Sequence, residues 1–303
     1  MNKSIAEFNI VSFGEVLYDL FPNHQKIGGA PLNVALRLAS LGLSAHIISR
    51  VGNDALGKKL IAYVNNHGVN SSAIQIDDVL PTGEVIVALN ASGSATYSIS
   101  YPVAWDKIAT VLANDTLVKN ADAFVFGSLV SRDDVSRQSL LQLIKCAKYT
   151  VFDVNLRAPF YNQKVLLQLM EKSDFIKFND SELAEIGTFM HSPYQTVEEN
   201  IHFIAKKTNT KHICVTKGDQ GAVLYYNEQI YYSKGFQVTI KDTVGAGDSF
   251  LAGLLSKLLL GNNPQEAVDF ACALGAAVAM KEGANATISP EEISILLTTK
   301  SNE

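Results

Sequence analysis

The segment with the clearest chemical potential reads Asp242-Thr243-Val244-Gly245-Ala246-Gly247-Asp248 and runs into an apolar helical pattern that Gly261 closes. Free N–H groups at the start of a helix favour an anion, and the small residues 245–247 would let a phosphate approach the backbone closely. Asp248 would then stand beside that phosphate, where a carboxylate can take the proton of a hydroxyl group undergoing phosphorylation. The plainer alternative is that Asp248 only caps the helix.

Glycines and polar side chains near the N-terminus suit a ligand that carries several hydroxyl groups. Glu15 and Asp19 follow the first predicted strand, and Asp19 could accept hydrogen bonds from a polyol. Gly28 and Gly29 precede a predicted helix and would let a polar ligand reach the backbone, while Asn33 offers a donor and an acceptor. A solvated aspartate and an ordinary glycine turn are the alternatives.

A third polar group follows the predicted strand Thr150–Val154, where Asn155 and Arg157 stand at its carboxyl end. In parallel sheets, ligands bind beyond the carboxyl ends of the strands. Arg157 could therefore hold a carbonyl, hydroxyl or phosphate oxygen, or it could form only a surface ion pair.

Two further segments could bind a nucleotide and its metal. Asn179 and Glu182 have the spacing of a helix capping box, but they could also position hydrated Mg²⁺, since this ion keeps several of its waters. Thr216, Lys217 and Gly218 form a turn that suits a nucleotide phosphate or ribose. A plain hairpin turn explains the same three residues.

One near-match to a phosphate-binding loop, Gly52–Lys59, is rejected as the nucleotide site. Lys59 stands where that motif requires serine or threonine. Asn53 or Asp54 is expected to cap the following helix, which places the rest of the segment inside that helix.

The elements that would position these residues alternate between strands and helices along most of the chain. Strands are predicted at residues 10–13, 45–51, 123–126, 150–154, 175–178, 213–216 and 236–240. The alternation predicts a mostly parallel sheet with helices on both faces, in a single domain of residues 1–303. At about 16–32 and 82–106, antiparallel strands with a polar turn at 90–93 predict a small second sheet that protrudes as a lid, although surface hairpins without a role fit the same pattern.

Composition excludes several classes of function. With 47% hydrophobic and 18% charged residues the chain can build a large core, and its net charge of −5 argues against nucleic-acid or membrane partners. Cys146, Cys214 and Cys272 are too far apart for metal-ligand spacing. No signal-peptide pattern opens the sequence, so a cytoplasmic protein is expected.

With these motifs in this order, the chain resembles the ribokinase/pfkB family of carbohydrate kinases, and within it the fructokinase-like branch. The resemblance rests on Gly28-Gly29-Ala30-Pro31 with Asn33, Asp153 with Asn155-Leu156-Arg157, Asn179 with Glu182, Thr216 with Gly218, and Asp242-Thr243 with Gly245-Ala246-Gly247-Asp248. It implies a ribokinase-like three-layer α/β/α fold with a β lid that often contributes to a homodimer. It also implies transfer of the γ-phosphoryl group of ATP to a hydroxyl of a sugar such as fructose.

The resemblance assigns a role to each motif. Asp248 would be the base. Gly245, Ala246 and Gly247 would form the anion hole, and the two glycines would also contact the nucleotide. The sugar would contact Asp19, Gly28, Gly29, Asn33, Asn155 and Arg157. Magnesium-bound phosphates would lie at Asn179 and Glu182, the nucleotide at Thr216, Lys217 and Gly218, and a monovalent cation such as K⁺ at Asp242.

The sequence departs from the fructokinase-like pattern at two places. Val154 replaces the usual proline, and Tyr97–Asp106 lacks the expected arginine and Ala-Ala-Asp ending. Because the lid contacts the sugar, the acceptor could instead be 2-keto-3-deoxygluconate, another ketose or a nucleoside. A non-catalytic binding or regulatory relative is a more remote alternative, since Asp248 and both glycines of the anion hole are present.

Overall fold

A computed structural model of the protein describes residues 3–89 and 95–300 and shows one large sheet and one small sheet. Within these residues the large sheet has ten strands, numbered here in chain order and given in spatial order: β14 (Gln229–Ser233), β13 (Ala222–Tyr226), β12 (His212–Thr216), β11 (Phe175–Asn179), β10 (Thr150–Asp153), β9 (Ala123–Gly127), β1 (Asn9–Phe13), β4 (Ser44–Gly52) and β5 (Val69–Asn70), with β6 (Ile74–Asp77) also on β4. The strands from β12 to β5 pair in parallel, and β13 and β14 form an antiparallel edge.

Helices cover both faces of the large sheet. In the described chain they are α1 (Ala30–Ser40), α2 (Ala55–Asn66), α3 (Leu112–Asn120), α4 (Asp134–Ile144), α5 (Gln163–Met170), α6 (Asp180–Phe189), α7 (Val197–Thr208), α8 (Ala246–Leu259), α9 (Pro264–Ala279) and α10 (Pro290–Lys300). Successive strand residues point to opposite faces, so Ile10 packs in the core with α1, α2 and α8–α10, and Val11 packs in the core with α3–α7. The predicted three-layer fold is confirmed.

A four-stranded second sheet, also predicted, has the order β3 (Gln25–Gly28), β2 (Leu17–Leu20), β7 (Gly83–Leu89) and β8 (Ala95–Ile99). The outer pairs are antiparallel as predicted, but β2 and β7 pair in parallel, because the chain between these two strands passes through the body of the protein. The predicted polar turn at residues 90–93 lies outside the described residues. Two parts of the predicted lid belong to the body of the protein. Residues 30–32 begin α1, and Ala104–Lys107 forms a helical turn in which Trp105 is fully buried.

The six buried strands from 10–13 to 213–216 are confirmed to within one residue at each end. The strand predicted at Phe236–Ile240 is wrong. After β14 the chain leaves the sheet edge, and the N–H groups of Lys241 and Asp242 donate to the carbonyl of Ala279 at the end of α9. The chain that follows Ile240 therefore bonds to a helix end rather than to a neighbouring strand.

The expected helix cap at the rejected phosphate-loop match is confirmed. Asp54 caps α2 and accepts a hydrogen bond from the Gly57 N–H, so the near-match to a phosphate-binding loop is a helix start. The three cysteines are free thiols, of which Cys214 and Cys272 are buried.

Among the described residues, no helix has the length and hydrophobicity needed to cross a membrane.

Candidate active site

The predicted site residues gather where the carboxyl ends of several parallel strands meet the start of α8. This helix begins after Gly245, whose φ of +76° lies in the left-handed region. A Cβ at this position would lie 2.3 Å from the Cβ of Ala284, so only glycine fits. The Ser249 N–H donates the first intrahelical bond, to the Gly245 carbonyl. The N–H groups of Gly247 and Asp248 therefore have no acceptor within the helix and suit a bound anion. The N–H of Ala246, which was also expected in the anion hole, donates instead to the Thr243 carbonyl at 3.2 Å.

Asp248 stands in the first turn of α8 and is held by α1. The amide of Asn33 donates a 2.8 Å hydrogen bond to Asp248 Oδ2, and Asn33 Oδ1 in turn accepts from Asn285 Nδ2 at 3.2 Å. Burial, followed by the negative charge of Asp153, raises the pKa of Asp248 to about 6. A carboxylate with this pKa suits a general base. Asn33, expected to hold the sugar, thus also contacts the candidate base.

A buried ion pair lies beside this helix start. Lys177 of β11 and Asp153 of β10 are partners across the sheet, and Lys177 Nζ donates to Asp153 Oδ1 at 2.8 Å. Burial opposes the charged ammonium, but Asp153 and Glu182 outweigh it and the pKa of Lys177 is raised. Sequence reasoning missed Lys177, although a lysine inside the apolar strand Phe175–Asn179 is a usable signal.

Several residues expected to bind the sugar are neighbours. A Cβ on Gly28 would lie 2.6 Å from Asp19 Oδ2, so the glycine makes room for this carboxylate. Burial raises the pKa of Asp19, while the nearby charges of Arg157 and Lys26 oppose the shift. Arg157 is exposed, and Asn155 has a left-handed backbone with a φ of +38°.

Glu15 belongs to the same group, although the sequence motifs assign it no role. It is 3% exposed, and its Oε2 has no partner among the described residues. Burial raises the pKa of Glu15 to about 7, against the opposing charge of Arg157. Gly29 lies against its backbone, because a Cβ there would be 2.4 Å from the Glu15 carbonyl oxygen.

Asn179 and Glu182 form the capping box that their spacing allows. Asn179 Oδ1 accepts from the Glu182 N–H, and Glu182 Oε2 accepts from the Asn179 N–H, both at 2.8 Å. Glu182 Oε1 also accepts from the Leu156 N–H at 2.9 Å. Next to this box, Asp153 Oδ2 is buried without a partner in the described chain. A buried carboxylate oxygen of this kind suits a water of hydrated Mg²⁺.

The residues expected to bind the nucleotide lie at the adjacent strand end. Thr216 of β12 pairs with Asn179 of β11 across the sheet. The turn that follows contains Lys217 and Gly218, and Gly218 has a φ of +58° with no atom within 4 Å of a Cβ built on it. The end of β12 is thus open enough to receive a ligand.

Asp242, expected to bind a monovalent cation, already has partners on both carboxylate oxygens. Oδ1 accepts from the Val244 N–H at 3.0 Å, and Oδ2 accepts from the Gly283 N–H at 2.9 Å. Lys26 Nζ, from β3 of the second sheet, also donates to Oδ2 at 3.3 Å. The ammonium lies where a cation would approach the carboxylate, so K⁺ would compete with Lys26 for Asp242 Oδ2.

Arg37 of α1 joins three distant segments and was not singled out from the sequence. Its Nε donates to Ser249 Oγ at 3.0 Å, and its Nη2 donates to the carbonyls of Ala284 at 3.3 Å and Ala286 at 2.9 Å. Because Ala284 abuts Gly245, this buried guanidinium fixes the segment that shapes the anion site.

Known proteins resemble this chain in sequence and in fold. Residues 7–292 match the pfkB family carbohydrate kinases. Fructokinase-1 of Oryza sativa subsp. japonica is 29% identical over 316 residues, which cover 95% of this chain and 96% of the relative. An uncharacterized sugar kinase from Pyrococcus horikoshii in complex with ATP superimposes with a TM-score of 0.81 at 27% identity, over 95% of this chain and 99% of that one.

A second solved structure, 2-dehydro-3-deoxygluconokinase from Thermotoga maritima, superimposes with a TM-score of 0.84 at 22% identity, over 96% of this chain and 99% of that one. At this identity the likeness supports the fold alone. The family match, in contrast, spans nearly the whole chain and includes every motif described above. The chain therefore belongs to the pfkB family and is an ATP-dependent carbohydrate kinase.

Proposed function

We propose that this protein phosphorylates fructose at a primary hydroxyl, with ATP as the phosphoryl donor and Mg²⁺ on the phosphates. The observation that carries the proposal is the position of Asp248. This carboxylate, with a pKa of about 6, is fixed by Asn33 beside the free N–H groups at the start of α8. A base and an anion site within one helical turn are what hydroxyl phosphorylation needs.

In the proposed reaction, Asp248 accepts the proton of the sugar hydroxyl as the hydroxyl oxygen bonds to the γ-phosphorus of ATP. The bond from that phosphorus to the bridging oxygen breaks, and ADP leaves with the electron pair. The N–H groups of Gly247 and Asp248 stabilise the charge on the transferring group. Mg²⁺, held through water by Asp153, Asn179 and Glu182, would neutralise charge on the nucleotide phosphates.

The nucleotide is proposed to lie along the ends of β11 and β12. Thr216 and Asn179 are partners there, and the open space at Gly218 leaves room for a ligand. Lys217, in the same turn, would contact a phosphate or the ribose.

Fructose is proposed over an acidic sugar because of the charges on the acceptor side. The guanidinium of Arg157 acts on the carboxyl groups of Glu15, Asp19 and Asp248, so carboxyl groups outnumber this cation on the acceptor side. Carboxylates accept hydrogen bonds from neutral hydroxyls and repel a substrate carboxylate. The name of the rice relative, Fructokinase-1, supports the same choice. 2-Keto-3-deoxygluconate is the second candidate, favoured by the exposed Arg157.

A panel of sugars assayed by ADP release tests this proposal. We expect kcat/KM for fructose to exceed that for 2-keto-3-deoxygluconate at least tenfold, and Asp248→Asn to remove turnover with both. A preference for the sugar acid that Arg157→Ala abolishes would replace fructose by the second candidate. No ADP release with any acceptor would indicate a non-catalytic relative.

A further inference from the structure

We propose that Lys177 is a further catalytic residue, whose ammonium group contacts the γ-phosphoryl group while it is transferred. The inference rests on the proposed kinase reaction but not on which sugar accepts the phosphate. A Cβ built on Gly247 would lie 3.6 Å from Lys177 Nζ. The ammonium therefore borders the first turn of α8, next to the free N–H groups and one residue from the base.

The hydrogen bonds of Lys177 are incomplete. An ammonium carries three N–H donors. Within residues 3–89 and 95–300, Lys177 Nζ donates to a single acceptor, Asp153 Oδ1, and the side chain is only 8% exposed. A buried donor without an acceptor is costly. Phosphoryl oxygens at the neighbouring anion site would supply the missing acceptors.

The carboxyl groups around Lys177 make its positive charge important for an anionic ligand. Asp153, Glu182 and Asp248 all act on the ammonium. These carboxyl groups alone would repel the phosphates of a nucleotide, and the ammonium offsets part of that repulsion. A fixed cation beside a transferring phosphoryl group stabilises the negative charge that spreads over its oxygens.

The competing explanation is that Lys177 only balances the charge of Asp153. Lys177→Gln alone does not separate the two explanations, because it leaves Asp153 buried without its partner, which is itself destabilising. Asp153→Asn provides the right background, since the amide oxygen still accepts from Lys177 but carries no charge. In that background a mere counter-ion is dispensable, whereas a phosphoryl contact is not.

The first test compares kcat of Asp153→Asn with that of Asp153→Asn/Lys177→Gln, at saturating Mg²⁺ and with whichever sugar gives the highest rate of ADP release. We expect the second substitution to lower kcat by about 10²-fold or more, as for the loss of one donor from an oxyanion site, without changing KM for the sugar. Equal kcat in the two variants would overturn the proposal. Lys3→Gln, which breaks the ion pair with Asp122, is the control and should keep full activity.

Calorimetric binding of ATP and ADP gives a readout independent of turnover. Loss of Lys177 should weaken ATP binding about tenfold more than ADP binding, because only ATP carries the γ-phosphate. If the ratio of the ATP and ADP dissociation constants does not change, the proposed contact is overturned even if kcat falls. If the wild type releases no ADP with any sugar, the proposed function fails, but the ratio of these dissociation constants still tests the role of Lys177. Thermal unfolding verifies that each variant is folded, and Lys177→Met is the substitute if the double variant is not.

Discussion

The amide of Asn33 and the carboxylate of Asp248 are joined by a 2.8 Å hydrogen bond, although 215 residues separate them in the chain. The bond connects α1, which begins at the glycine pair, to α8, which begins at the anion site. It fixes the direction of the carboxylate and favours its charged form. Asn33 is therefore a positioning residue for the proposed base, whatever it contacts on the sugar.

Replacing Asn33 by alanine should lower kcat about tenfold or more and move the acidic limb of the rate profile to higher pH. The bond from Asn33 lowers the pKa of Asp248, so its loss raises that pKa. The measurement is kcat against pH for the wild type and the variant. Asn285→Ala removes only the more distant 3.2 Å bond and should produce a much smaller shift. Superimposable profiles for Asn33→Ala and the wild type would contradict this role.

Asp248→Asn should remove turnover and yet stabilise the folded protein at neutral pH. The folded-state pKa of about 6 lies above the ordinary value of 3.8, so the folded protein binds this proton more tightly than the unfolded chain. The resulting stabilisation is complete below about pH 4 and is lost as the pH rises through 6. The Asp248→Asn variant carries no charge at this position at any pH. Its melting temperature should therefore exceed that of the wild type at pH 7 but not near pH 4. A lower melting temperature at pH 7 argues against a destabilised carboxylate.

Two carboxyl groups should give separate limbs in the pH dependence of the wild-type enzyme. Protonation of Asp248 should lower kcat/KM below about pH 6, whereas Glu15, with a pKa of about 7, should change KM for the sugar near neutrality. Glu15→Gln should remove the limb in KM and keep the one near 6. If the limb in KM persists in Glu15→Gln, another group is titrating.

Lys26 should make the enzyme independent of K⁺. Because its ammonium already lies 3.3 Å from Asp242 Oδ2, exchanging K⁺ for Na⁺ at constant ionic strength should leave kcat unchanged. Lys26→Met removes the charge, so activity should fall and then recover in part with added K⁺. Strong activation of the wild type by K⁺ would show that the ion binds despite the lysine.

Gly245→Ala should destabilise the protein by about 2–4 kcal/mol and abolish activity, because the added Cβ collides with Ala284. Gly261→Ala is a matched control. Its φ of +79° imposes similar backbone strain, but no atom lies within 4 Å of the added Cβ. It should cost only about 1–2 kcal/mol and leave kcat unchanged. Equal losses in denaturant unfolding would assign the effect to backbone strain rather than to the collision.

The sequence predicts the body of the fold well because buried parallel strands are short apolar runs that alternate with amphipathic helices. The same reasoning fails at Phe236–Ile240, since an apolar pattern does not reveal whether a strand partner exists, and here the next N–H groups bond to the end of α9.

The glycine motifs of the site can also be recognised in the sequence. At Gly245 the positive φ and the neighbouring Ala284 leave no room for a side chain. The paired cations around the site are harder to predict. Lys26, Arg37 and Lys177 lie in strands and helices whose sequence patterns do not mark them. Each binds a partner that is distant in the sequence and that only the fold brings close.

The buried guanidinium of Arg37 has a consequence for synthesis on the ribosome. Its acceptors in the chain follow it by 212, 247 and 249 residues, so they emerge long after α1. A nascent chain that stops before Ala284 holds this charge without two of its acceptors and leaves Gly245 without the neighbour that shapes its turn. Pairing of the central strands does not use residues 284–286, whereas the start of α8 takes its final shape only after those residues reach Arg37 and Gly245.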